Sequence, residues 1–180
     1  LILGNFIEAI EGGADYVAMI TSPGCCRLGQ YGNSIENALV DMGYHARYIE
    51  LSLYDGIKGM YNVLKDISGK NDPILFARAI NIAIRKMFLL DDLEENLAYY
   101  RAREVNQGDA DKHYAKALQY VKDVEHSKDL KRAKKLAFDE MKKVEIDVNR
   151  EVLKVDLTGE IYLVCDAFSN QNITKELGKM

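Results

Sequence analysis

The chain of 180 residues has only three cysteines, and two of them, Cys25 and Cys26, are neighbours. That is no disulfide framework, so a reducing compartment is expected. It also lacks an excess of positive charge: 24 Lys and Arg stand against 28 Asp and Glu, a net charge of -4. Nucleic acid and anionic membrane surfaces are thereby excluded as default partners, because binding phosphate takes a basic face. No apolar run approaches the roughly 20 residues of a membrane span, and no basic stretch leads into an apolar one at the start. A soluble, cytoplasmic protein is expected. Neither a P-loop nor a G-x-G-x-x-G pattern occurs, so the commonest phosphate-cradling loops are missing.

What is present is a globular composition, 48% apolar, with room for one sizeable core and a smaller lobe. The organising stretch runs over 14–44. Residues 16–20 are a short β-prone run, and 34–42 carry Ile35, Ala38, Leu39 and Met42 at helical spacing. Between them TSPGCCRLGQYG reads as a strand-to-helix turn. Pro23 and Gly24 break the strand, while Gly29 and Gly32 let the backbone approach something closely.

Further elements follow in order. Apolar positions Ile2, Phe6, Ile7 and Ile10 give a helix over 2–12, and 46–51 is a second strand, which completes a βαβ unit. A helix over 57–67 comes next. From Pro73 to about Lys143 no strand is expected, only helices: one from Pro73 with an apolar stripe Leu75, Ala79, Ile82, Ala83, Met87, Leu90 that Leu93, Leu97 and Tyr100 extend toward Arg101, one over 110–125 and a Lys-rich one over 130–144. The sheet is then expected to resume at 152–157. Residues 161–165 read by propensity as another strand, or else Gly159-Glu160 ends the strand and 162–170 is a loop leading into a helix. A last helix covers 172–177. The fold class is α/β, a parallel sheet of βαβ units with an inserted helical lobe: residues 1–72 with the cysteine turn, 73–148 helical, 149–180 returning to the sheet. The chain starts at Leu1 without a Met and stops just past that last helix, so a piece of a longer protein is expected.

Ligands in parallel α/β sheets bind beyond the carboxyl ends of the strands, where the cysteine turn and the region 159–170 would both open. A thiol at a helix N-terminus beside Arg27 has a lowered pKa, which suits a metal ligand or a nucleophile. The alternative is a pair of small, partly buried residues in a tight turn. Nucleophilic catalysis lacks its base, since His45 opens the second strand and His113 and His126 sit in the charged lobe. Iron-sulfur clusters take four thiolates as a rule, and the chain offers three with Cys165. Zinc is disfavoured by the absence of C-x2-C spacing. The turn's glycines with Arg27 could also cradle a phosphate. The charged runs, such as Lys131-Arg132 and Lys134-Lys135, read as solvated helix faces.

Four stretches taken together, GNFIEAIEGGADYVAMI, CCRLGQYGNSIENALVDMGY, RAREVNQGDAD and TGEIYLVCDAFSNQNI, resemble the 2-hydroxyacyl-CoA dehydratase component-related proteins. These are the D-component-like proteins also described as CoA-substrate-specific enzyme activases. Cys26, Arg27, Gly29, Tyr31 and Gly32 match the family's C-G-P-C-R-F-G-Y-Y-G turn, with Pro23 at the first family cysteine and Cys25 at the family proline. Arg101, Glu104, Gly108 and Asp111 resemble its R-P-Y-E then G-x-x-D segment, with Ala102 for proline. Gly159, Glu160, Tyr162, Asp166, Phe168 and Asn170 resemble its G-E-I-Y then D-P-F-x-N segment, with Ala167 for proline.

The resemblance implies an iron-sulfur redox component of anaerobic metabolism, carrying a [4Fe-4S] or double-cubane cluster. It would receive low-potential electrons from an ATP-dependent activase and act on a CoA thioester or another small molecule. Implied metal ligands are Cys26 and Cys25. Arg27, Glu160 and Asn170 would be catalytic, and Gly29, Tyr31 and Gly32 would shape the cofactor site. The activase's own nucleotide signature is absent from the chain. The alternatives are a non-catalytic α/β partner or scaffold without a cluster, and a small-molecule-binding domain with inert thiols.

Overall fold

The computed structural model describes residues 1–21, 27–52 and 54–179. It is mostly helical, with one two-stranded parallel sheet, and divides into two compact units, Leu1–Phe76 and Ala77–Met180.

The first unit opens with helix α1 (Ile2–Glu11) and strand β1 (Tyr16–Thr21). A 3-10 turn (Arg27–Gln30) runs into helix α2 (Tyr31–Asp41), which is followed by strand β2 (Arg47–Ser52) and helix α3 (Gly56–Ser68). β1 and β2 pair in parallel, from Tyr16 opposite Arg47 to Thr21 opposite Ser52. Because side chains alternate along a strand, Val17, Met19 and Tyr48 share the face that α1 and α2 cover. There Val17, Ile35 and Leu39 are buried among Phe6, Ile7, Ile10 and Tyr44. α3 packs on β2 and stops at Gly69, whose φ of 64° is a left-handed conformation that glycine adopts without strain.

Helix α4 (Pro73–Arg101) starts as its sequence dictates. Pro73 takes the first helical position, and the Asp72 carboxylate accepts hydrogen bonds from the Ile74 and Leu75 N–H groups, both at 2.9 Å. The buried stripe of α4 is Leu89, Leu93 and Leu97, one residue per turn. Leu75 and Met87, expected on the apolar stripe, are exposed.

In the second unit α4 shares its core with helix α5 (Asp109–Lys122) and helix α6 (Leu130–Met141). Ala110, Ala117 and Ala137 are fully buried there, and such small residues let helices approach closely. Two short helices, α7 (Ile161–Cys165) and α8 (Ile173–Gly178), finish the described chain.

Two expected strands are corrected. Residues 152–157 form no strand, since none of the described residues offers them a ladder partner, and an extended segment becomes a strand only by pairing. Residues 161–165 are the helix α7: the Glu160 carboxylate accepts from the Leu163 N–H at 3.0 Å and the Val164 N–H bonds the Glu160 carbonyl. A cap at the right spacing here outweighs the β-propensity of Ile-Tyr-Leu-Val. Residues 149–179 hold no strand and group with the second unit. No helix among the described residues is long and apolar enough to cross a membrane.

Candidate functional site

The sequence-designated turn leaves β1 at Thr21 and rejoins the described chain at Arg27. Cys25 and Cys26, the expected metal ligands, lie outside the described residues, as does the Arg27 side chain. Gly29 and Gly32 are buried, and Gly32 has a specific reason to lack a side chain: a Cβ there would stand 2.2 Å from Tyr48 Oη. Tyr48 reaches from β2 across the end of β1 to the first turn of α2, so the glycine makes room for a phenol.

Around that contact a small polar group assembles. Thr21 Oγ1 donates to Glu50 Oε1 at 2.7 Å. The Tyr48 hydroxyl is buried without a hydrogen-bond partner among the described residues. Burial, with the carboxylates of Glu50 and Glu36 nearby, raises its pKa above the ordinary phenol value. Tyr31, expected to shape a cofactor site, packs against the apolar cluster of Val17, Ile35 and Leu39. Tyr48, Thr21 and Glu50 were not singled out from sequence. The expected βαβ unit sets β2 beside β1, but the register that decides which of its side chains come near the turn is not written in the sequence.

The second unit holds the other designated residues, and it uses them as fasteners. Glu104 is buried, and its two oxygens accept from the Gly108 and Ala110 N–H groups, each at 2.7 Å. It thus satisfies N–H groups that the start of α5 would otherwise leave unpaired. Gly108 sits at φ 92°, the conformation that turns the chain into α5. Arg101 donates through Nε and Nη2 to Asp111 Oδ1, and Lys175 stands 3.0 Å from Asp111 Oδ2. Burial alone would raise the Asp111 pKa, but the hydrogen bonds and charge of Arg101 and Lys175 outweigh it and hold the carboxyl below its ordinary range.

Glu160 and Asn170, the expected catalytic pair, belong to one local arrangement. Glu160 caps α7, while Asn170 Nδ2 donates to the Val164 carbonyl at 3.0 Å and Asn170 Oδ1 accepts from the Ile173 N–H at 3.3 Å. Asp166 accepts from the Ser169 N–H and hydroxyl in the same turn. These are the bonds of a helix-loop-helix joint.

A further cluster was missed from sequence. Glu140, 4% exposed, receives His113 Nδ1 at 2.9 Å and Lys143 Nζ, with Lys116 Nζ at 3.7 Å. Hydrogen bonds from Lys143 and then His113 lower its pKa against the opposing effect of burial. His113 and Glu140 sit on α5 and α6, 27 residues apart, and no spacing rule joins them.

Among the described residues no three His, Cys, Asp or Glu side chains come together as a metal site. There are three thiols in all, with Cys165 exposed on α7, against the four thiolates that a cluster takes. Compared with known proteins, the chain matches no family model, no curated protein and no solved structure.

Proposed function

We propose that the chain is a cytoplasmic iron-sulfur redox component of the 2-hydroxyacyl-CoA dehydratase kind, taking low-potential electrons from an ATP-dependent activase. The observation that carries this reading is the set of four family-like stretches in family order, with CCRLGQYG, which follows β1 and ends in the first turn of α2, at its centre. In fold terms the reading takes β1, α2 and β2 as the first βαβ unit of a larger parallel sheet, with the helices from α4 to α6 as the inserted lobe.

The chain's own residues would contribute part of a site. Cys26, with Cys25 beside it, would supply thiolate ligands, and the Arg27 cation would lower their pKa. Gly29 and Gly32 would keep the turn close to the strand ends. A cluster, when bound, supplies one-electron transfer. With three thiols in the chain, its remaining ligands come from a second chain or from a non-thiolate group. The test is iron and acid-labile sulfide content of protein prepared without oxygen. Stoichiometric iron and sulfide are expected, falling in Cys26→Ser. Protein without either overturns the reading, and unchanged content in Cys26→Ser removes that residue from the role.

One observation favours a second reading, a non-catalytic partner that keeps the fold and docks an activase or another subunit. The polar residues of the later motifs, Arg101, Glu104, Asp111, Glu160 and Asn170, are all engaged in local bonds that hold loops and helix ends. Colourless, stably folded protein that binds such a partner is the outcome that selects it.

A further inference from the structure

Residues 151–157, EVLKVDL, have the alternation of a strand and none of its bonds. Among the described residues their backbone makes no hydrogen bond, and Leu153 and Val155 are 93% and 57% exposed. A run with the sequence pattern of a strand, backbone groups without described partners and bare apolar side chains is a candidate to pair with a sheet edge. The first unit offers such an edge. Among the described residues β2 is paired on one side only, by β1, so its other edge carries no ladder. Ile20, on the sheet face opposite α1 and α2, is 55% exposed.

The two sequences fit each other. Laid parallel to β2 with Glu151 opposite Arg47, the segment sets Val152 by Tyr48, Leu153 by Ile49, Lys154 by Glu50 and Val155 by Leu51. Both charged positions of β2 then face an opposite charge, and its apolar positions face apolar ones. Shifting by one residue puts Lys154 against Leu51 and Leu153 against Glu50, or Lys154 against the buried Ile49, so the pattern specifies its register. The charges of β2 remain within reach of a new strand. Arg47 and Asp66 stand 3.6 Å apart as a solvent-exposed pair, which contributes little, and Glu50 accepts only the Thr21 hydroxyl among its described hydrogen bonds.

We propose that residues 151–156 of one copy of this chain add as a third, parallel strand to the free edge of β2 in a second copy. The exchange is reciprocal, so the same two surfaces serve both copies and a closed dimer results. It is independent of whether a cluster is present.

The experiment is sedimentation equilibrium of the full 180-residue chain across a concentration series, with hydrogen exchange of the 151–157 amides on the same samples. A dimer of the 20.4 kDa chain is expected, with those amides protected in the dimer and unprotected on dilution. Lys154→Glu places like charges opposite each other twice per dimer and raises the dimer Kd about tenfold. Glu50→Lys in the same chain restores the opposite pairing and the affinity. Three outcomes overturn the proposal: a monomer at every concentration with the amides unprotected; a monomer with them protected, which means the strand closes on its own chain; or a dimer indifferent to Lys154→Glu. A dimer weakened by that change and not restored by Glu50→Lys overturns the register.

Discussion

The two units differ in how they are held together. In the second, nine buried apolar residues from α4, α5, α6 and the turn after α6 form one cluster, with Leu93 and Met141 fully enclosed. Among the described residues of the first, the buried cluster is Val17, Ile35 and Leu39, and Tyr54, Ile57 and Ile74 stand largely in solvent. Burial of apolar area is the main favourable term in folding. The second unit therefore has the thicker described core and the first a thin one, while both leave large apolar side chains in solvent, Phe168 and Leu153 of the second among them.

Cutting one leucine from each core breaks the comparison most directly. Leu93→Ala is expected to cost the second unit about 2–5 kcal/mol, because a closed cluster cannot collapse around the hole. Leu39→Ala should fall at or below the low end of that range, since the residues around it are partly exposed and free to close in. Denaturant titration followed by amide exchange within each unit separates the two. Equal losses would mean that the thin core is as tightly packed as the thick one.

The next effect belongs to the first unit. Gly32→Ala drives a methyl group into the Tyr48 hydroxyl and is expected to cost about 1–3 kcal/mol. Tyr48→Phe alone should be neutral or slightly stabilising, since the hydroxyl has no described partner. Combined with Gly32→Ala it should recover part of the loss. Failure to recover would show that the constraint at Gly32 is in the backbone.

The smallest effect is set by pH. Asp111 and Glu140 are both in the second unit and both have depressed pKa values in the folded protein. A depressed carboxylate pKa stabilises above the unfolded-state value, and that stability is lost as pH falls through the ordinary carboxylate range and then through the folded pKa. Amide exchange against pH should show the second unit losing more of its initial stability between neutral and acid conditions than the first. Replacing Asp111 by Asn should flatten part of that slope.

Much of the fold was legible in sequence wherever one element could specify itself. The helices of Phe6 and Ile10, of Ile35 and Leu39, and of Pro73 onward follow from apolar spacing and local start signals, as do β1 and β2 from their short β-prone runs. Asp72-Pro73 named the start of α4 because a cap acts within three residues. The stripe of α4 was legible in its later part, where Leu93 and Leu97 are buried as expected, and not in its earlier part, where Leu75 and Met87 have the right spacing but are exposed; the buried turns at Leu89, Leu93 and Leu97 share a core with α5 and α6.

Of the candidate site, the sequence itself determined the local chemistry: adjacent thiols beside a cation, with glycines around them. Only the tertiary structure decided that Tyr48 is the reason for Gly32, that Glu104 and Asp111 fasten the ends of helices, and that His113 meets Glu140. It also decided that EVLKVDL, with every local feature of a strand, is not one among the described residues. Spacing and caps are short-range and can be read along the chain. Pairing between strands, and contact between side chains 27 residues apart, depend on which surfaces the fold brings together.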